Sequence, residues 1–188
     1  MKKTRLISMI LLLATVIGIF TGCTNIYSIH KHSAEMYSQV QDWILPSFLE
    51  ENKIRGVGYK NPDYIENDYD NPFPAPEYIQ DENAPKNRTF LIDNQETFDS
   101  IFKENTLSVD FDNEIVCLYI FCNCTPNTKY IIDEISVNNE KASICYKSKI
   151  RLFSPLDTTN PYPRCLIVKM DKSNISAVEF VEMKGSTI

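Results

Sequence analysis

The chain has 188 residues, of which 19 are basic and 25 acidic, and its net charge is −6. A nucleic-acid-binding protein needs a basic face for the phosphates, so this composition argues against nucleic acid as a partner. No glycine lies between Tyr59 and Lys184, which excludes from this stretch the glycine-rich phosphate loops and the nucleophile elbow of nucleotide enzymes and α/β-hydrolases.

The first 22 residues have the layout of a bacterial lipoprotein signal peptide. Residues 1–5 carry three cations and residues 6–20 form an apolar run that is shorter than the roughly 20 residues needed to cross a bilayer. Phe20-Thr21-Gly22-Cys23 resembles the lipobox at which such precursors are cleaved. We predict cleavage before Cys23, diacylation of its thiol and a place on the cell membrane, outside the cytoplasm. An uncleaved anchor and a plain secretory signal are the alternatives.

Removal of residues 1–22 would leave 16 basic and 25 acidic residues. Cationic peptides, a basic protein surface or metal ions are better electrostatic candidates than nucleic acid, but we expect the excess of acid simply to keep an exported surface soluble. We expect residues 23–33 to be the lipidated cysteine and a tether, and residues 34–188 to be one folded unit. His30, His32 and Glu35 could ligate zinc. Because so short a motif often arises by chance, we predict a solvated tether, no metal and no other cofactor.

Residues 34–55 are predicted to be helical because their apolar side chains recur at spacings of three and four. These side chains are Met36, Val40, Trp43, Ile44, Phe48 and Leu49. Pro46 is expected to kink this helix or to separate two short ones.

Residues 56–87 are predicted to form an irregular arm, because five prolines between positions 62 and 85 prevent long regular elements. Its rings, Tyr69 and Phe73 among them, must be buried on the domain or presented to a partner. We expect the arm to fold back. Residues 67–71 place oxygen ligands close together, as calcium loops do, but lack the glycine and the bidentate glutamate of such loops; we expect a solvated acidic segment.

Residues 88–188 are predicted to contain a strand at 88–92, a helix with Asp93 as N-cap and Glu96 completing a capping box, and a buried central strand at 114–121. Strands at 129–137 and 142–149 flank Asn138-Asn139, a hairpin signal. Strands at 164–170 and 177–183 would complete a meander. The predicted fold class is α+β, an antiparallel sheet of about five or six strands with helices packed on one face.

Five cysteines remain after Cys23. Cys117 lies in an apolar run and is predicted to be a core thiol. Outside the cytoplasm, Cys122 or Cys124 could form a disulfide with Cys145 or Cys165, and the spacing does not choose the pair. A structural disulfide or inert thiols are favoured over a redox pair, because Cys122-Asn123-Cys124 lacks the Cys-x-x-Cys spacing before a helix.

Three segments together resemble a known family. They are DFDNEIV at 110–116, residues 125–130, and Pro161-Tyr162 ahead of a strand. Over residues 89–182 the chain resembles the PrcB-like domain, a small partner subunit that stabilises a bacterial surface protease. Relatives carry a Thr-Gly-Gly-Tyr turn where this chain has TPNTKY without glycine. The resemblance implies a Gram-positive-like lipoprotein whose turn contacts a protein partner.

We therefore expect a non-catalytic, membrane-tethered domain that binds a protein or a peptide outside the cytoplasm. The sheet would be the scaffold. The expected contacts are Thr125, Asn127 and Tyr130 of the turn and Tyr69 and Phe73 of the arm.

The competing hypothesis is an envelope glycan hydrolase that uses a carboxylate pair, with Asp68, Asp70, Asp110 and Glu114 as candidates. A pocket with two converging carboxyl groups, one of them with a raised pKa, would favour it.

Overall fold

The structure is a computed structural model that describes residues 34–38, 40–66, 71–124, 128–150 and 161–183. The strands are β1 Ala34–Ser38, β2 Tyr59–Lys60, β3 Tyr78–Ile79, β4 Asn87–Ile92, β5 Glu114–Asn123, β6 Thr128–Asn138, β7 Lys141–Ile150, β8 Tyr162–Asp171 and β9 Ala177–Glu182. The helices are a 3₁₀ helix at Gln41–Trp43, α1 at Pro46–Glu51 and α2 at Gln95–Ile101.

The predicted α+β class is wrong, because the fold is mainly β. Strands hold 48% of the described residues and helices about 12%. The strands form three sheets rather than one, with four, three and two strands. The physical reason lies in β5, which is apolar on both faces and therefore needs cover on both. A second sheet covers one face, and the short helices with residues 40–59 cover the other.

The four-stranded sheet has the order β1-β8-β5-β4 and is antiparallel throughout. The prediction of a buried central strand is confirmed by β5. Val116, Leu118 and Ile120 pack under the helices. Ile115 and Cys117 alternate with them and face the second sheet, as the two-residue period of a strand requires.

The second sheet has the order β6-β7-β9. The hairpin of β6 and β7 is confirmed, but its turn is one residue later than predicted. Asn138 pairs with Lys141, and Asn139 and Glu140 have φ of 49° and 61°, as a type I′ turn needs. The predicted meander is wrong, since β9 pairs parallel with β7 and leaves β8 in the other sheet.

The predicted helix at the start of the domain is wrong over Ala34–Ser38, which forms the edge strand β1 beside β8. So short a run of apolar residues fits the period of a helix as well as that of a strand. The edge of β8 then favours the strand, because each residue of Ala34–Ser38 pairs with a residue of β8. Pro46 does not kink a helix but separates two short ones, the 3₁₀ helix at Gln41–Trp43 and α1, which confirms the second of the two predicted alternatives. It stands in the first turn of α1, where its missing N–H costs nothing.

The N-cap of α2 is Asn94 and not Asp93. The Oδ1 of Asn94 accepts a hydrogen bond from the Thr97 amide at 2.8 Å, while Asp93 Oδ1 accepts from Asn94 Nδ2 at 2.8 Å. Asn94 is extended, with φ −149° and ψ 159°, so the chain needs one more residue than predicted before it turns into the helix. Phe98, Ile101 and Phe102 are buried, which confirms the apolar stripe.

Candidate functional site

The strand end that precedes the predicted turn also contacts the start of the arm. At this end Asn123, the last residue of β5, pairs with Tyr162, the first residue of β8. Cys122 precedes Asn123, and its Sγ donates to the Gly56 carbonyl oxygen at 3.5 Å. Because Gly56 begins the arm, this contact places the start of the arm at the end of β5. We call it the arm end of the domain.

Tyr130 supports the turn from inside. The Asn123 Nδ2 donates to the Tyr130 hydroxyl at 2.5 Å, and the ring makes an edge contact with Phe121 at a centroid distance of 5.5 Å. Only 5% of Tyr130 is exposed, and burial raises its pKa. Tyr130 thus packs inside the domain, and its contact with a partner stays a prediction. Thr125 and Asn127 lie outside the described residues.

Arg164 is a buried cation at the arm end that the sequence reasoning missed. It is 3% exposed, hydrogen-bonds with the Tyr162 hydroxyl, and its guanidinium carbon lies 4.3 Å from the centre of the Tyr162 ring. Its charge also opposes the rise in the pKa of Tyr130. Its position directly before the apolar run 165–168 could have indicated that Arg164 is buried.

A cluster of aromatic rings fills the space between the two larger sheets next to Arg164. Tyr119 stacks on Phe180 at a centroid distance of 4.9 Å and on Phe121 at 5.0 Å. Burial raises the pKa of both Tyr119 and Tyr146. The rim of the cluster is polar, since Ser148 donates to Glu182 at 2.5 Å. The packed rings therefore join the two larger sheets next to Arg164.

The base of the arm is held by buried contacts. Tyr59 is 7% exposed, and its hydroxyl accepts from the Ile54 amide at 2.8 Å. Asn61, also 7% exposed, donates from Nδ2 to the Pro76 carbonyl oxygen at 2.9 Å. The Arg55 amide donates to the Pro85 carbonyl oxygen at 2.8 Å. The short β2-β3 pairing joins the same two stretches of chain. The loop that connects Asn61 to Pro76 is therefore held at both of its ends.

The loop of the arm exposes apolar side chains. Phe73 is 87% exposed, Ile65 65% and Tyr78 52%. The expectation that the arm folds back and buries Phe73 is wrong. The described arm is held at residues 56–61, 76–79 and 84–85, and Phe73 lies in the loop between the first two of these ranges. Tyr69 lies outside the described residues.

The carboxylates proposed for a hydrolase are held in structural bonds where they are described. Asp110 accepts from Asn113 Nδ2 at 2.8 Å, and this bond holds its pKa below the usual value. Glu114 accepts from the Asp110 amide at 2.9 Å and pairs with Lys169 at 3.2 Å. A general acid needs a raised pKa, whereas the pKa of Asp110 is lowered. Asp68 and Asp70 lie outside the described residues.

None of the five cysteines in the described ranges is joined in a disulfide. Cys122 and Cys165 lie on the same face and are diagonal neighbours, since Cys122 pairs with Pro163 and Cys165 with Ile120. Cys145 lies on β7 between the buried Ile144 and Tyr146, and therefore on the outer face of the other sheet. Among the predicted disulfides, Cys122 with Cys165 is the pair that the fold brings together.

An open groove of about 760 Å³ lies between α2 and residues 103–109. It is lined by Phe98, Phe102 and mostly polar side chains, and it holds none of the predicted site residues. Within the described ranges, no group of three or more His, Cys, Asp or Glu side chains is placed to hold a metal ion. Cys23, His30 and His32 precede these ranges.

Comparison with protein-family models, with curated proteins and with solved structures gave no match. The resemblance to the PrcB-like domain therefore stays a prediction. No helix in the described part of the chain is long and apolar enough to cross a membrane.

Proposed function

We propose that this protein is a lipoprotein, anchored through Cys23 outside the cytoplasm, whose arm binds another protein or a peptide without catalysing a reaction. The observation that carries the proposal is the contrast within the arm. Its base is held by Tyr59 and Asn61, which are both 7% exposed, while Phe73, in the loop between Asn61 and Pro76, is 87% exposed.

This arrangement favours binding on energetic grounds. Burying a Phe side chain that is otherwise in water stabilises a complex by about 1.5–3 kcal/mol. Association also costs conformational entropy at the interface, and that cost is smaller where the backbone is already held. The bonds from Asn61 to Pro76 and from Arg55 to Pro85 hold both ends of the loop before any partner arrives.

The position of the arm suits a tethered binding protein. Ala34, the first described residue after the predicted anchor, pairs with Met170 near the end of β8, whereas Tyr162 begins β8 at the arm end. Eight residues of β8 separate these two levels, which is about 26 Å at the usual rise of a strand. A chain coming from the membrane would therefore enter the domain at one end and present the arm at the other.

Site-specific photocrosslinking of the full-length lipoprotein in intact cells tests this proposal. A photoreactive aromatic residue at Phe73 should capture a discrete protein partner. The same residue at Met183, which is 40% exposed and lies after β9, is the matched control and should not.

Phe73→Ala supplies the second half of the test. It should weaken association with the captured partner and leave the free energy of unfolding within about 0.5 kcal/mol. Identical capture from both positions, or a loss of several kcal/mol of stability in Phe73→Ala, would contradict the proposed function.

A further inference from the structure

The exposed apolar side chains of the arm belong to a loop of one charge sign. Residues 61–85 contain seven acidic residues and no lysine or arginine. Five of these acids are described and all are exposed: Asp63, Glu66, Glu77, Asp81 and Glu82. Basic residues occur on both sides of the loop, at Lys60 and Lys86, but not within it.

The described carboxylates of the loop are exposed, and Glu77 accepts a hydrogen bond from the neighbouring Tyr78 hydroxyl. None of the ion pairs in the described ranges involves them. Asp81 accepts a hydrogen bond from the Asn83 amide at 2.9 Å, which is a local turn bond. Like charges so close together repel one another, and a cationic partner would replace that repulsion with attraction.

The apolar side chains lie directly beside the acids in the sequence. Ile65 precedes Glu66, Glu77 precedes Tyr78, and Phe73 stands between these two pairs. A partner that covers Ile65 and Phe73 must therefore also meet carboxylates. The faces of Phe73 and Tyr78 can in addition attract an ammonium or guanidinium group.

We infer that the described parts of this loop, residues 61–66 and 71–85, bind a cationic amphipathic peptide segment, in which aliphatic or aromatic residues that cover Ile65 and Phe73 alternate with lysine or arginine. This inference rests on the proposed function, because it names the chemistry of the partner for the same arm. A phospholipid surface fits the loop less well, since the anionic headgroups of bacterial membranes would repel its carboxylates.

A random peptide library displayed on phage tests the inference without assuming a partner. The library is selected against the full-length lipoprotein in phosphatidylcholine nanodiscs, after depletion on empty nanodiscs. The expected result is enrichment of peptides with a net positive charge and aliphatic or aromatic residues. Their affinity should fall as salt is raised, because screening weakens charge attraction.

Two variants place the binding on the arm. Phe73→Ala should lower the affinity of the enriched peptides about tenfold, the effect of losing one aromatic anchor. The triple variant Glu66→Gln, Glu77→Gln, Glu82→Gln should also lower the affinity and flatten its salt dependence. The matched controls are Met183→Ala and the triple variant Glu51→Gln, Glu96→Gln, Glu104→Gln, which removes the same charge from exposed positions on and beside the helices.

The outcomes separate this inference from the proposed function. Neutral or acidic peptides that lose affinity in Phe73→Ala would overturn the cationic partner and leave the arm as a binding site. Cationic peptides that bind Phe73→Ala and Met183→Ala equally would overturn the inference, as would binding to empty nanodiscs that no variant changes. No enrichment at all would count against both.

Discussion

The Sγ of Cys122 lies 3.5 Å from the carbonyl oxygen of Gly56, where the central strand β5 ends and the arm begins. Gly56 has φ of 87°, a conformation that other residues rarely adopt. A Cβ added at Gly56 would lie 3.3 Å from the same sulfur. The position of the arm on the sheet therefore depends on a backbone shape and a close approach at one residue.

Gly56→Ala should lower the free energy of unfolding by about 1–2 kcal/mol, because the left-handed conformation costs an L-residue that much. Urea denaturation measures the loss. The double variant Gly56→Ala, Cys122→Ala removes the close sulfur and keeps the backbone strain, so it should still show most of the effect of Gly56→Ala when compared with Cys122→Ala alone. No loss in Gly56→Ala would mean that this backbone shape is wrong.

Asn94→Ala should cost about 1 kcal/mol of stability, because the Thr97 amide loses its acceptor in the first turn of α2. Asp93→Ala should cost less, since Asp93 accepts only from the side chain of Asn94. Asn94→Ser keeps an oxygen acceptor and is the conservative control. Thermal unfolding of the three variants distinguishes the two caps. A larger loss in Asp93→Ala than in Asn94→Ala would restore the capping box expected from the sequence.

The buried tyrosines predict a loss of stability in alkali. Burial raises the pKa of Tyr37 to about 12, and it also raises the pKa of Tyr119, Tyr130 and Tyr146. Below about pH 10, the usual pKa of tyrosine, these groups are neutral in both states and the stabilisation is complete. Between pH 10 and 12 the unfolded chain ionises first, so the free energy of unfolding should fall.

Urea midpoints measured across this pH range test the tyrosine prediction. Tyr146→Phe removes one of the buried hydroxyls and should make the alkaline decline shallower. A decline already complete by pH 9, or one that Tyr146→Phe leaves unchanged while the tyrosinate absorbance titrates normally in the folded protein, would contradict it.

The cysteines should differ in reactivity according to their burial. Cys117 and Cys165 are fully buried, and burial raises the pKa of each thiol to about 12, so iodoacetamide should alkylate them only after unfolding. Cys124 and Cys145 are half-buried and should react in the native protein. Peptide mass mapping of the alkylated sites checks both expectations.

The same mapping in denaturant without reductant tests the predicted disulfide. Alkylation of all five thiols would agree with the absence of disulfides among the described cysteines. A linked peptide joining Cys122 to Cys165 would show that these diagonal neighbours oxidise in the exported protein.

Cys23→Ser should prevent lipidation, because the thioether needs sulfur and serine has none. The variant should either leave the membrane fraction or remain as an unprocessed precursor, and intact mass measurement separates these two results. Cys145→Ser, on the outer face of β7, is the control and should keep the normal mature mass. Unchanged membrane retention of Cys23→Ser at the normal mature mass would contradict the lipoprotein proposal.

Local patterns were enough to predict the elements whose signals lie within a few neighbouring residues. The continuous apolar run of β5, the hairpin around Asn139 and the stripe of Phe98 and Ile101 on α2 all belong to this group. In each of them the period of the side chains or the chemistry of a turn specifies the backbone directly. The predicted N-cap of α2 lies one residue too early because Asp93 and Asn94 both carry a side-chain oxygen that can accept a hydrogen bond from a first-turn amide.

Long-range contacts set the features that the sequence did not reveal. Ala34–Ser38 is a strand because β8 has an open edge beside it, more than a hundred residues further along the chain. Arg164 is buried because a second sheet covers its face of β8. Phe73 is exposed because the hydrogen bond between Asn61 and Pro76 holds only the base of the arm. Strand partners and burial depend on residues far apart in sequence, and no local period records them.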